Sequence, residues 1–131
     1  MGLVFALWPV TVSVQELIAN QASPQSALTR NEARLYFTLR LQQWPNGRPI
    51  RVFVLPDDDP LHIAFVKNIL GLFPYQLRSA WDRQVFSGTG QAPTKVASEA
   101  EMLQRIATIP DAIGYASAAA NDPRIRTLEV R

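Results

Sequence analysis

Three features of the chain carry residue types able to do chemistry. The first is Asp57-Asp58-Asp59, followed at once by Pro60 and Leu61. A run of carboxylates suits a hard cation, which takes oxygen ligands. A coordination shell needs more than three adjacent residues, however, and no second carboxylate cluster is placed to complete one. The triplet therefore reads as a helix start. Asp59 accepts orphan N–H groups, Pro60 occupies a first helical position that needs no N–H, and Asp57 and Asp58 face water. The second feature is His62, the single histidine of a chain without cysteine. A zinc site or a nucleophile–base–orienter triad needs more partners than these. A helix N-terminus also disfavours a protonated ring. His62 reads as a surface or packing residue. The third feature is Ser87-Gly88-Thr89-Gly90, whose backbone N–H groups could cradle an anion. It follows a helical pattern and lacks both the lysine–serine ending of a P-loop and the dinucleotide fingerprint, so a connecting loop is the plainer reading. No metal, no cofactor and no catalytic group are expected.

These features need elements to hold them. Residues 50–55 read as a strand with only Arg51 polar, so both faces are expected to be covered, as in a parallel or mixed sheet. Pro56 ends it. The helix after Asp59 carries one apolar stripe of Leu61, Ala64, Phe65 and Ile69, and a second of Ile63, Val66 and Leu70, with Gly71 as its C-cap. Strand, acidic loop and helix together form the turn where open α/β sheets bind ligands.

Around that centre, residues 14–20 read as a strand, followed by a polar loop over residues 21–26 that contains Ser23. Thr29 and Glu32 spell a capping box, and the helix behind them is expected to run to Gln42. Asn46-Gly47 marks a turn whose residues take positive φ. Pro74 starts a third helix with Leu77, Trp81 and Val85 on one face. Lys95 to Ala97 suits a short strand. Ser98 and Glu101 spell a second capping box, for a helix carrying Met102, Leu103, Ile106 and Ala107. Residues 112–116 read as a buried strand with Gly114 at a close approach, and residues 127–131 as an edge strand. Strands alternate with helices, so the class is α/β: a mixed sheet of about four or five strands with about four helices.

With 131 residues the chain suits one domain. Net charge is +2, and the arginines are scattered rather than striped, which argues against a nucleic-acid partner. Residues 1–13 are apolar, uncharged and too short to span a bilayer. They suit the apolar core of a signal peptide, with residues 14–131 as the mature domain; a first core strand is the alternative. Trp8, Trp44 and Trp81 are not spaced as a stacking platform.

Several pieces resemble the substrate-binding proteins of phosphate ABC transporters. They are LTRNEARLYFTLRLQQWPNGRPIRVFVLP, the acidic loop with its helix, and EAEMLQRIATIPDAIGYAS. The last is similar to the family's PGAIGYV closing strand, with Asp111 in place of the glycine. The likeness covers residues 26–118 and is nearest to short members that look like one lobe of a two-lobed receptor. It implies a type II periplasmic-binding fold, a periplasmic or secreted location and no catalysis. The family's phosphate motif, Arg-x-Asp-Gly-Ser-Gly-Thr, implies ligand contacts in the turn after the central strand. Here its arginine falls on Leu55, its aspartate on Asp57, its glycine and serine on Asp58 and Asp59, its second glycine on Pro60 and its threonine on Leu61. Only Asp57 is retained. The lost arginine removes an oxyanion clamp. Each added carboxylate opposes an anion by on the order of a few kcal/mol, as much as a helix N-terminus attracts it.

The expected ligand contacts are Asp57, Asp58, Asp59, Leu61 and His62 in the central loop, Ser23 in the polar loop, and Ser87, Gly88 and Thr89. The expected partner is a small anion such as phosphate. The alternative is an interaction or sensor module that docks a protein and has lost small-ligand binding. The sequence leaves the oligomeric state open.

Overall fold

The aliphatic runs that read as strands lie at the centre of the structure. A computed structural model describes residues 2, 15–88, 91–117 and 122–131. β1 (Glu16–Asn20) pairs antiparallel with the fully buried β5 (Ala112–Ala116), setting Leu17 opposite Tyr115 and Ile18 opposite Gly114. On the other side of β5, β3 (Arg51–Val54) runs parallel to it, and β4 (Thr94–Lys95) runs parallel to β3. On the other side of β1, β6 (Ile125–Val130) is antiparallel to it and parallel to β2 (Ala27–Leu28). The sheet order is β2-β6-β1-β5-β3-β4. Five strands therefore point one way, and β1 alone runs against them.

The sheet has six strands rather than four or five. β2 and β4 are two residues each, too short to leave a periodic signal. They also correct the reading of the last strand. β6 is not an edge, because β2 covers it. Its alternation arises because Leu128 is buried while Thr127 and Glu129 face water.

Side chains alternate across a strand, so Tyr115 and Gly114 face opposite sides of β5. On the Tyr115 side lie α1 (Arg30–Phe37), α2 (Pro60–Phe65) and α3 (Pro74–Phe86). Phe65 stacks on Tyr115 with ring centroids 4.1 Å apart, and Phe37 meets Phe65 edge-on at 5.0 Å. The Trp81 indole N–H donates to the Phe37 carbonyl at 2.6 Å, tying α3 to α1. On the opposite side, α4 (Glu99–Thr108) lays Met102 and Ile106 over Gly114. A Cβ on Gly114 would sit 2.6 Å from Met102 Sδ, which is the close approach that strand glycine signals.

The Thr29–Glu32 capping box forms with both of its hydrogen bonds. The helix behind it stops at Phe37 rather than Gln42. Thr38 Oγ1 donates to the Arg34 carbonyl at 2.6 Å, and Leu39 turns to φ 64°. That turn sends the Leu39 side chain into the core, where it is 6% exposed. Burial of a leucine, worth about 2 kcal/mol, offsets the 1–2 kcal/mol of a left-handed residue. At the Asn46-Gly47 turn only Gly47 takes positive φ. Asn46 instead accepts the Arg48 N–H through its side chain at 3.0 Å. The α2 helix continues as a π-helical turn, Val66–Leu70, before Gly71 closes it at φ 66°. On α3, Leu77 and Trp81 are buried as expected, but Val85 is half exposed, since among the described residues no strand lies beyond the short β4.

Candidate ligand face at the carboxyl ends of the strands

The parallel strands β3, β4 and β5 deliver three segments to one end of the sheet: the acidic loop into α2, the turn into α4, and Ser117. The acidic loop is built as its sequence implies. Asp59 is the N-cap of α2, accepting the Leu61 N–H at 2.8 Å, and Pro60 follows at the first helical position. Asp57 accepts from Arg78 of α3, through Nε at 3.0 Å and an Nη at 2.6 Å. The same guanidinium lies 5.2 Å from the Trp81 ring centroid. Asp58 is exposed.

Beneath the loop sits a buried polar chain. Leu55, the residue after β3, donates its N–H to the Tyr115 hydroxyl at 2.8 Å, and that hydroxyl meets His62 Nδ1 at 2.5 Å. The oxygen accepts from Leu55 and keeps its own proton to give, and a neutral ring protonated on Nε2 takes that proton at Nδ1. His62 is 1% exposed and Tyr115 is fully buried. Burial raises the phenol well above its ordinary value. Burial likewise lowers the imidazole below 6.5, against the opposing pull of Asp57 and Asp59 and with Arg78 adding to the lowering.

The second helix start at this end is capped by a hydroxyl, with two carboxylates bonded beside it. Ser98 Oγ accepts the Glu101 N–H at 3.2 Å. Glu101 returns the contact to the Ala97 N–H at 2.8 Å, one residue earlier than the capping box predicts. Glu99 accepts both the N–H and the hydroxyl of Ser117, each at 2.7 Å. Glu16, which opens β1 beside Ala116, has one buried carboxylate oxygen with no hydrogen-bond partner among the described residues. Among the described residues the Leu61 N–H, the Ala97 N–H, Ser117 and Arg78 already hold Asp59, Glu101, Glu99 and Asp57.

Of the residues expected to form a site, Asp57, Asp58, Asp59 and Leu61 meet at this end. His62 belongs to the same segment, but its ring is turned into the core. Ser23 lies at the opposite end, because β1 runs against its neighbours. It is 4% exposed there, and its carbonyl accepts from Arg126 at 2.9 Å. Ser87 and Gly88 also lie away from the acidic loop, since they precede β4. Gly88 helps to line a cavity of about 500 Å³ with Leu39, Arg51 and Thr94 at the amino ends of β3 and β4. Thr89 is outside the described residues. The structure therefore does not bring the three expected segments together. Sequence reading missed Arg78, Glu99, Tyr115 and Ser117. Tyr115 carried a usable signal, since a tyrosine in a wholly buried strand needs a partner for its hydroxyl.

The architecture is that of phosphate-transport receptors. An ABC-type phosphate transport receptor from Vibrio cholerae matches 88% of this chain with a TM-score of 0.68 at 15% identity. A phosphate ABC transporter substrate-binding protein type from Clostridium perfringens, solved with bound phosphate, matches 88% with a TM-score of 0.71 at 19% identity. PstS from Borrelia burgdorferi matches 89% with a TM-score of 0.66 at 10% identity. The chain spans less than half of each: 45%, 44% and 47% of their lengths respectively. No protein-family model and no curated protein sequence matches the chain. The likeness bears out the receptor fold expected from the sequence motifs.

Proposed function

We propose that this chain is a non-catalytic binding domain of the phosphate-receptor type, with its ligand face at the carboxyl ends of β3, β4 and β5. The observation that carries this reading is the coincidence of a receptor fold, matched over 88% of the chain, with a strand-to-helix turn at the end of β3, where open α/β sheets seat ligands. Among the described residues the face presents no nucleophile–base pair: its histidine is buried on a tyrosine, and its serine is bonded to Glu99. Asp58 and Asp59 stand where the receptor motif has glycine and serine, and they set this face against orthophosphate. The reading places the chain in the periplasm or outside the cell. Its support is the likeness to transport receptors. Among the described residues no helix is long and apolar enough to cross a membrane.

The test of placement is calorimetric titration of phosphate into the native chain and the double variant Asp58→Gly/Asp59→Ser. Serine keeps the N-cap while the charge is removed. The native chain should give no phosphate heat at millimolar ligand. The variant should gain affinity by at least about tenfold, since each deleted repulsion is on the order of a kcal/mol or more. Equal, undetectable binding in both would remove the acidic turn from the ligand face.

A further inference from the structure

We infer that Tyr115 and His62 form an acid-sensitive latch that fixes the acidic loop to the sheet. The inference rests on the proposed ligand face only for its consequence; the latch is read out without ligand. Its parts come from three elements. Leu55 ends β3 and leads into the loop, Tyr115 lies in β5, and His62 sits in the first turn of α2. The chain of bonds from the Leu55 N–H through the Tyr115 hydroxyl to His62 Nδ1 spans both ends of the loop, residues 56–61. The loop's other fastenings are exposed or local: the Asp57–Arg78 pair, with both side chains more than two-fifths exposed, and the Asp59 cap.

The latch holds in one protonation state of the ring. Neutral, Nδ1 accepts the tyrosine proton. Protonated, Nδ1 becomes a second donor to the oxygen that already accepts from Leu55, and the hydroxyl proton loses its acceptor. The hydroxyl proton must then turn toward aromatic surroundings, where Phe37 and Phe65 offer no strong acceptor. The charged groups around the ring divide. Asp57 and Asp59 of the loop favour the cation, and Arg78 of α3 opposes it; β5 contributes only Tyr115. Burial is the largest influence and keeps the closed-state ring neutral below the pH at which a free imidazole charges. In the open loop the ring is free to take a proton at its ordinary value near 6.5. Opening is thus favoured by about tenfold per pH unit below 6.5, until the closed-state ring itself titrates.

His62 is the single histidine, so its imidazole signals are unambiguous by NMR. The experiment follows those signals together with amide exchange at Leu55, the donor in the latch, and at Ile18 in β1, across pH 7.5 to 5 after correction for intrinsic exchange. The expected result is an imidazole that titrates below 6.5, with Leu55 exchange faster than Ile18 and rising about tenfold per pH unit below 6.5. In His62→Gln, which cannot titrate, the Leu55 slope should vanish while Ile18 stays protected. An imidazole titrating at 6.5 or above would overturn the latch. So would corrected Leu55 exchange that is flat with pH, or that equals Ile18 at every pH. If His62→Gln fails to fold, the native titration alone decides. Failure here leaves the phosphate titration untouched, and the reverse also holds.

Discussion

At the amino ends of β3 and β5 the sheet is fastened by neutral amides and one ion pair, whereas at the carboxyl ends it is fastened by carboxylates. At the first end, Asn20 donates to the last carbonyls of α4, Ile106 at 2.8 Å and Ala107 at 3.1 Å, while its own oxygen accepts the Ala22 N–H. Nearby, Asp111 takes both prongs of Arg48, at 2.8 and 2.9 Å. Its carbonyl also accepts from the Trp44 indole at 3.2 Å and the Arg51 N–H at 3.0 Å. At the second end, Asp59 caps the start of α2, Glu101 accepts the Ala97 N–H just ahead of α4, and Glu99 holds Ser117. One end seals a helix C-terminus with a neutral donor. The other answers helix N-termini with charge. Helix N-termini attract anions, and on the proposed reading the carboxylates at this end stand in for one from within.

The largest expected effect breaks the neutral end. Asn20→Ala leaves buried α4 carbonyls without a donor and should cost about 2–4 kcal/mol, seen as a fall in Tm on the order of 10 °C. A fall under 2 °C would mean that water serves those carbonyls equally well. Tyr115→Phe probes the other end. It strips the partner from the Leu55 N–H and from His62 Nδ1, and should cost about 2–3 kcal/mol in chemical denaturation. A neutral result would mean that the pair needs no hydroxyl between its members. Asp59→Ala should cost about 1 kcal/mol as a lost N-cap, and Asp59→Asn, which keeps the cap, close to nothing. If both variants lose the same stability, the charge rather than the cap is what matters at α2. Smallest is Arg48→Ala, which breaks an exposed pair and should leave the urea midpoint nearly unchanged; a clear fall would make Asp111 a structural anchor of β5.

The His62 contribution to stability carries its own pH signature. Its folded-state value lies below 6.5 because the ring is buried. That contribution is therefore fully present above 6.5 and lost as pH falls below it, since the unfolded chain then binds a proton that the folded chain refuses. Urea midpoints of native and His62→Gln chains between pH 7.5 and 5 should converge as the pH falls. Parallel curves would contradict a buried neutral ring.

Much of the fold was legible because its signals are local. Asp59-Pro60, Thr29 with Glu32, and Gly71 announce their helix ends, and residues 112–116 are buried throughout as an unbroken apolar run should be. Of the two-residue strands, β2 was not legible, since its partner defines it, and β4 was expected over residues 95–97 but meets that reading only at Lys95. The candidate face was legible only at Asp57, Asp58, Asp59 and Leu61. Placing Ser23 beside them required strand direction, and β1 runs against its neighbours for reasons of pairing that no local pattern carries. The π-helical turn at Val66–Leu70 has no local sequence signal either. His62 sat inside a correctly read helix, yet the direction of its ring depends on Tyr115, 53 residues away.

The central claim is that the carboxyl end has filled its own anion positions and does not hold phosphate as a free helix N-terminus would. Thermal unfolding with and without millimolar phosphate, against sulfate and chloride at matched ionic strength, tests it directly. The account predicts the same midpoint in all three salts. A phosphate-specific rise on the order of ten degrees, as a micromolar site at thousandfold excess would give, would contradict it and show that the acidic turn holds phosphate despite Asp58 and Asp59.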